Sequence, residues 1–240
     1  MTSSIDVGGV ISKIADLYQR YAAVLLPVAA LVFLVEGILR FVAGDSVVLS
    51  LIVSVVAIVL TFLYMGMVVG LVADVRDGRL DQSVGQLFGT AAPVLGTLIV
   101  TAIVLGICIG VGLVLLILPG LILMSLWAAV PAAIVLEKAG FVGGVKRSMD
   151  LAKGNLFQVL GVIVILILIA IAVRFVLGLI GLAGGDGLAA VLEYVGAVLT
   201  APLTGLASAV LYYDLRAAHG EAVEPSGASP GDAAGLGGTA

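Results

Sequence analysis

Charge is what this 240-residue chain has least of, with Asp, Glu, Lys and Arg together making up 11% of it. A soluble domain carries roughly a quarter of its residues charged, so an ordinary water-soluble fold is excluded. Histidine is nearly missing too, the single one being His219. That excludes a His-Glu-x-x-His zinc helix and a Ser-His-Asp site inside the apolar body. Cys108 is the only cysteine, so there is no intramolecular disulfide and no thiolate metal cluster, and within its apolar run it reads as a small core residue. No glycine-rich phosphate loop ends in Lys-Ser or Lys-Thr. Every Asp falls in an expected loop, surface helix or tail, which leaves no aspartate pair for intramembrane proteolysis. The expectation is a protein that is not an enzyme and uses no cofactor or metal. With a net charge of −4 it is also no partner for nucleic acid, which attracts basic surfaces.

What the chain does have is hydrocarbon. Hydrophobic residues make up 62% of it and the mean hydropathy is +1.32. The apolar runs are long and continuous rather than alternating, which predicts helices and not a transmembrane barrel. The fold class is therefore all-α, a polytopic transmembrane helical bundle. About 20 apolar residues span the hydrocarbon core, and six crossings follow: near residues 22–42 and 47–73, two within the uncharged stretch 87–136, the second of them after Pro119-Gly120 and ending at Glu137-Lys138, and then near 156–179 and 188–213. Turns are expected at Gly44-Asp45, between Gly110 and Gly120 where Pro119-Gly120 interrupts the run, and at Gly184-Gly185-Asp186-Gly187. The start, MTSSIDVGG, has no basic region ahead of an apolar one, so the first crossing is expected to act as an uncleaved insertion signal.

Three amphipathic segments punctuate these crossings. Val10, Ile14, Leu17, Tyr18 and Tyr21 share one helical face; Leu80, Val84, Leu87, Phe88 and Ala91 repeat the same offsets; and from Phe141 they reach Val145, Ser148, Met149 and Ala152, with only the serine out of pattern. Each is expected to lie on the cytoplasmic face ahead of two crossings. Together they suggest a three-fold pseudo-repeat over 8–75, 80–137 and 141–213 within a single membrane domain, 1–216. The remainder, 217–240, is rich in Gly, Ala, Pro and Ser and reads as a disordered cytoplasmic tail.

One string of short motifs carries a resemblance. Leu118-Pro119-Gly120, then Val135-Leu136-Glu137, then the run from Lys146 to Asn155 (KRSMDLAKGN) and finally Tyr212 to Arg216 (YYDLR) resemble the membrane domain attached to some glycerophosphodiester phosphodiesterases and related stand-alone bacterial membrane proteins. The resemblance implies a membrane domain without the soluble catalytic barrel, whose histidines and acidic residues have no counterpart here.

Basic residues set the expected orientation. Lys13, Arg20, Arg76, Arg79, Lys138, Lys146, Arg147, Lys153 and Arg216 fall on one side of a six-crossing chain, Arg40 and Arg174 on or toward the other. The positive-inside rule then gives a multi-pass protein of the cell membrane with both termini cytoplasmic. Lys138, Lys146, Arg147 and Lys153 are the candidate lipid-headgroup residues, since each well-placed basic side chain near an anionic surface contributes roughly 1 kcal/mol.

Charges within crossings are costly and mark candidate sites. Glu36 and Arg40 are placed to pair along one helix, and Arg174 is expected to pair with Glu193 across the last two crossings. Gly196, Thr200, Thr204 and Ser208 form a small, hydroxyl-bearing stripe suited to close helix packing, as do Gly66-Gly70 and Gly106-Gly110. Tyr212 and Tyr213 suit the membrane interface. The functional expectation is a protein that binds or organises anionic lipid headgroups, or a membrane partner such as a second copy of itself, at the inner leaflet. The alternative is a small transporter with a path near Arg174, Glu193 and the Thr200-Thr204-Ser208 stripe.

Overall fold

The computed structural model describes residues 4–77 and 81–221. Among them there is no strand, and eight α-helices follow one another: α1 (Val7–Ala43), α2 (Val47–Asp74), α3 (Val84–Ala91), α4 (Leu95–Leu115), α5 (Ile117–Leu126), α6 (Val130–Glu137), α7 (Phe141–Ala152) and α8 (Leu156–Ala218). Five stretches are long and apolar enough to cross a membrane: α1, α2, residues 84–115, residues 117–137 and α8.

α1 begins where Asp6 accepts the backbone N–H groups of Gly8 and Gly9, satisfying two of the donors that a helix N-terminus leaves over. It then runs 37 residues to the left-handed Gly44. The amphipathic segment Val10–Tyr21 is thus not a separate surface helix. With no glycine or proline between Val10 and Leu26, nothing interrupts the backbone, and the apolar face turns onto α8 instead of a membrane surface. Val10 and Ile14 are buried, and Lys13 closes an ion pair with Asp214 at 2.7 Å. Of the second amphipathic segment, α3 carries a capping box in which Ser83 and Gln86 satisfy each other's backbone N–H, while Leu80 lies outside the described residues, as do Arg79 and the segment 222–240. The three segments are built differently: the first is continuous with its crossing, the second runs into α4 through the 3-10 turn Ala92–Val94, and the third is set off by turns.

The break between α4 and α5 falls at Leu116, whose extended backbone separates the two helices. Pro119, expected to end a helix, sits instead in the first turn of α5, where its missing N–H removes no helical bond. Gly120 is the residue that lets the two helices close together: a Cβ there would lie 2.7 Å from the backbone nitrogen of Leu113.

A second interruption, absent from the single crossing expected over 121–137, follows at Trp127–Ala129. Pro131 has no N–H to return to the Trp127 carbonyl, so that carbonyl bonds Val130 in a tighter turn at 3.1 Å. α8 is broken once, at Gly185, where φ is 75° and ψ 179°, a combination open to glycine alone. Its two arms, 156–184 and 186–218, lie against each other: a Cβ on Gly181 would sit 3.0 Å from the Ala189 Cα.

Packing is concentrated at one end of the bundle. Gly66–Val72 of α2, Ala132–Val135 of α6 and Gly205–Tyr212 of α8 are buried almost without interruption. Gly66 contributes by contact, since a Cβ there would come 2.3 Å from that of Ala91; Gly106 and Gly110, expected to act alike, have nothing within reach. Toward the other end the helices splay and expose Phe41, Val114, Leu116 and Leu182, each 67–88% accessible. Cys108 is exposed among them rather than in the core. In hydrocarbon such a surface needs no cover.

Candidate functional site

Three of the four motifs, separated by up to 81 positions in sequence, converge on the well-packed end, while Leu118-Pro119-Gly120 lies at the splayed one. Arg147, on α7, donates to Glu137 at the end of α6 at 2.8 Å and grips Glu221 with both terminal nitrogens. Arg216 donates to Glu221 at 2.9 Å, and the Tyr212 hydroxyl donates to Glu137. Two guanidinium groups on one carboxylate hold the acid of Glu221 down to about 2, with the Arg147 hydrogen bonds the main cause; the hydrogen bond to Glu221, with help from Glu137, raises the pKa of Arg147 in turn. Arg76 stacks over the Tyr213 ring at 4.4 Å, a cation–π contact. Tyr212 is fully buried, so it serves this network rather than a membrane interface.

Hydroxyls repair the broken helix beside it. Ser148, the residue out of pattern in α7, accepts the Ala129 N–H at 3.2 Å and donates to the Leu126 carbonyl at 2.8 Å. Ser208 accepts the Ala132 N–H at 3.3 Å. Asn155 accepts the Ile5 N–H at 2.9 Å and so fixes the start of α1 to the start of α8. Neither Ser148 nor Asn155 was a predicted site residue. The only sequence signal for Ser148 was that it interrupts an apolar face.

The four candidate headgroup residues divide. Arg147 is neutralised by Glu137 and Glu221, and Lys153 pairs with Asp150 at 2.6 Å. Lys138 and Lys146 are exposed, and no ion pair to either is found among the described residues. Lys138 has a left-handed backbone, φ 51°, after α6, a position where glycine or asparagine is usual. On α7, the face toward the protein is Gly144, Ser148, Leu151 and Ala152. Next round the helix come Met149 and Val142, 38% and 59% exposed, and then Lys146. Phe157, in the first turn of α8, is 82% exposed close by in sequence.

The intramembrane candidates lie apart from this end. Arg40 pairs with Glu36 at 2.7 Å along α1. Arg174 and Glu193 form no ion pair; Arg174 instead reaches the Thr200 hydroxyl at 3.5 Å. Thr200, Thr204 and Ser208 line a cavity of about 380 Å³. Neither Arg174 nor Glu193 is part of its wall. Among the described residues no cluster of His, Cys, Asp and Glu is suited to a metal ion.

Long apolar helices, an apolar splayed surface and charge gathered at one end define a helical membrane protein. The family described as a domain of unknown function (DUF7847) matches residues 44–213, and the chain belongs to that family. The match carries no link to the membrane domains of glycerophosphodiester phosphodiesterases, so the family assignment rests on this domain alone. No solved structure matches the chain.

Proposed function

We propose that this protein is a non-catalytic, multi-pass protein of the cell membrane that binds and organises anionic lipid headgroups at the inner leaflet. In this reading the two arms of α8 count separately, giving six crossings, and both termini are cytoplasmic. Positive-inside asymmetry supports that orientation, since the basic residues of α7 and its neighbours gather at the packed end.

The observation that carries the proposal is the outer edge of α7. It presents Val142 and Met149 beside Lys146, which forms no ion pair among the described residues. An apolar edge bordered by lysine suits a helix lying at a bilayer surface, with the apolar side chains immersed and the ammonium reaching headgroup phosphate. Lys138 supports it independently, because a lysine occupies a backbone conformation that favours glycine, and strain of this kind clusters at functional positions. The transporter reading has less to rest on, since Arg174 and Glu193 stand outside the cavity that the hydroxyl stripe lines.

Native mass spectrometry of gently delipidated protein tests the proposal. Wild type is expected to retain anionic phospholipid over zwitterionic, and Lys138→Ala/Lys146→Ala to lose about thirty-fold in that preference, two lysines contributing roughly 2 kcal/mol. Equal retention of both lipid classes by the wild type overturns it.

A further inference from the structure

α4 and α8 barely touch, and the space between them is the 380 Å³ cavity. Its floor is Phe62 and Met65 of α2, and it ends at the broken crossing, on Trp127 and Pro131. No charged side chain lines it, and most of its hydroxyls are already used: Thr101 and Thr200 bond carbonyls of their own helices, and Ser208 holds the Ala132 N–H. The wall is therefore mostly hydrocarbon, with the indole N–H of Trp127, which has no partner among the described residues, at its end. An engineered apolar cavity on the order of 150 Å³ stays free of water and takes up benzene; this one is more than twice that size and falls in the range of natural ligand pockets.

Its position says what fills it. Along α4 the lining runs from Leu98 to Ile109, and along α8 from Leu211 to Thr200, in each case about 16 Å at 1.5 Å per residue. That is close to half of the ~30 Å hydrocarbon thickness. One end of the slot, at Leu98 and Leu211, is near the packed, charged end of the bundle, with Leu211 adjoining Tyr212. The other reaches mid-bilayer depth. Gly106 and Thr204, both exposed, stand at an opening that faces lipid rather than water.

We propose that this slot is a binding site for one acyl chain of a membrane phospholipid, drawn from the leaflet at the charged end and lying lengthwise between α4 and α8. The proline break at Pro131 makes the site, because a straight helix over 117–137 has no turn at which Trp127 and Pro131 form the end wall. The chain is recognised mainly by shape and apolar contact. The site is accordingly independent of the lysines on α7, and a zwitterionic lipid fills it as well as an anionic one.

Trp127 is the only tryptophan in the chain, so its fluorescence reports on the slot directly. Purified full-length protein in detergent is titrated with phosphatidylcholine carrying a 9,10-dibromostearoyl chain, whose bromines quench indole on contact. Wild-type emission is expected to fall by more than half, with saturation. In Ala102→Phe and Ala170→Phe, which fill the slot from α4 and from α8, quenching at the same lipid content is expected to drop at least fivefold and to lose saturation. Two variants on different walls guard against one that fails to fold. Lys138→Ala/Lys146→Ala is expected to quench like wild type, so failure of the headgroup reading leaves this result standing. Absent quenching in the wild type, or equal and unsaturable quenching in wild type and both filled variants, overturns the proposal.

Discussion

The Ser148 hydroxyl accepts the backbone N–H of Ala129 at 3.2 Å while donating to the carbonyl of Leu126 three residues earlier. One side chain on α7 thereby satisfies a donor and an acceptor that the break between α5 and α6 leaves over. Away from water such groups have no other partner. The same contact ties α7 to the bundle and gives the proline break a fixed geometry.

Ser148→Ala is therefore expected to destabilise the protein by about 1–3 kcal/mol, the cost of leaving buried polar groups unpaired. Ser208→Ala removes one longer bond and is expected to cost less, roughly 0.6 kcal/mol. Unfolding in mixed micelles with increasing dodecyl sulfate measures both. A Ser148→Ala protein as stable as wild type removes the repair role.

Glu221 gives a pH dependence of fixed sign. Its carboxyl is held at about 2 in the folded chain against an ordinary value of 4.5. Because the folded value is depressed, its stabilisation is complete above pH 4.5 and is lost as the pH falls from there through 2. Glu221→Gln is expected to be less stable than wild type by about 1 kcal/mol at pH 7, in line with a partly exposed charged pair. The difference is expected to close near pH 2. A gap that stays constant between pH 7 and pH 2 shows that the carboxylate charge contributes nothing.

Lys138 sets stability against binding. Lys138→Gly removes the side chain from a left-handed backbone position, which is expected to stabilise the protein by about 1 kcal/mol, and also removes one of the two candidate headgroup lysines that form no ion pair among the described residues. Thermal unfolding is expected to shift upward while retention of anionic lipid weakens about fivefold, one lysine contributing roughly 1 kcal/mol. If Lys138→Gly retains lipid as wild type does, Lys138 has no part in headgroup binding.

Cys108 reports on immersion. It is exposed on α4 thirteen residues from Leu95, about 20 Å along the helix. A charged reagent does not enter hydrocarbon, where an unpaired charge is costly. In reconstituted vesicles a charged maleimide is expected to leave it unmodified, and to modify it once the bilayer is dissolved and the chain unfolded. Fast modification in intact vesicles shows that α4 does not cross the bilayer.

Much was legible in the sequence because it is local. Continuous apolar runs predict helices, and the observed breaks near Gly44, between Gly110 and Gly120, and at Gly185 fall where glycine makes a continuous helix costly or a turn permissible. The amphipathic pattern of α7 was readable for the same reason, as was the i to i+4 pairing of Glu36 with Arg40. Scarcity of charge, with only one histidine and one cysteine, set the class of protein before any contact was known.

What only the tertiary structure decided is which apolar surface meets protein and which meets lipid. In a membrane both surroundings are hydrocarbon, so burial leaves little periodic mark on the sequence. Cys108 therefore read as core and is exposed, and Gly66 and Gly106 looked alike although only the first is packed. Long-range partners were equally hidden: nothing near Arg147 announces Glu221, 74 residues away, and nothing near Val10 announces that its helix folds onto α8. The motifs around Glu137, Arg147 and Tyr212 marked residues that converge, while the contacts that join them, and the slot between α4 and α8, exist only once the helices are packed.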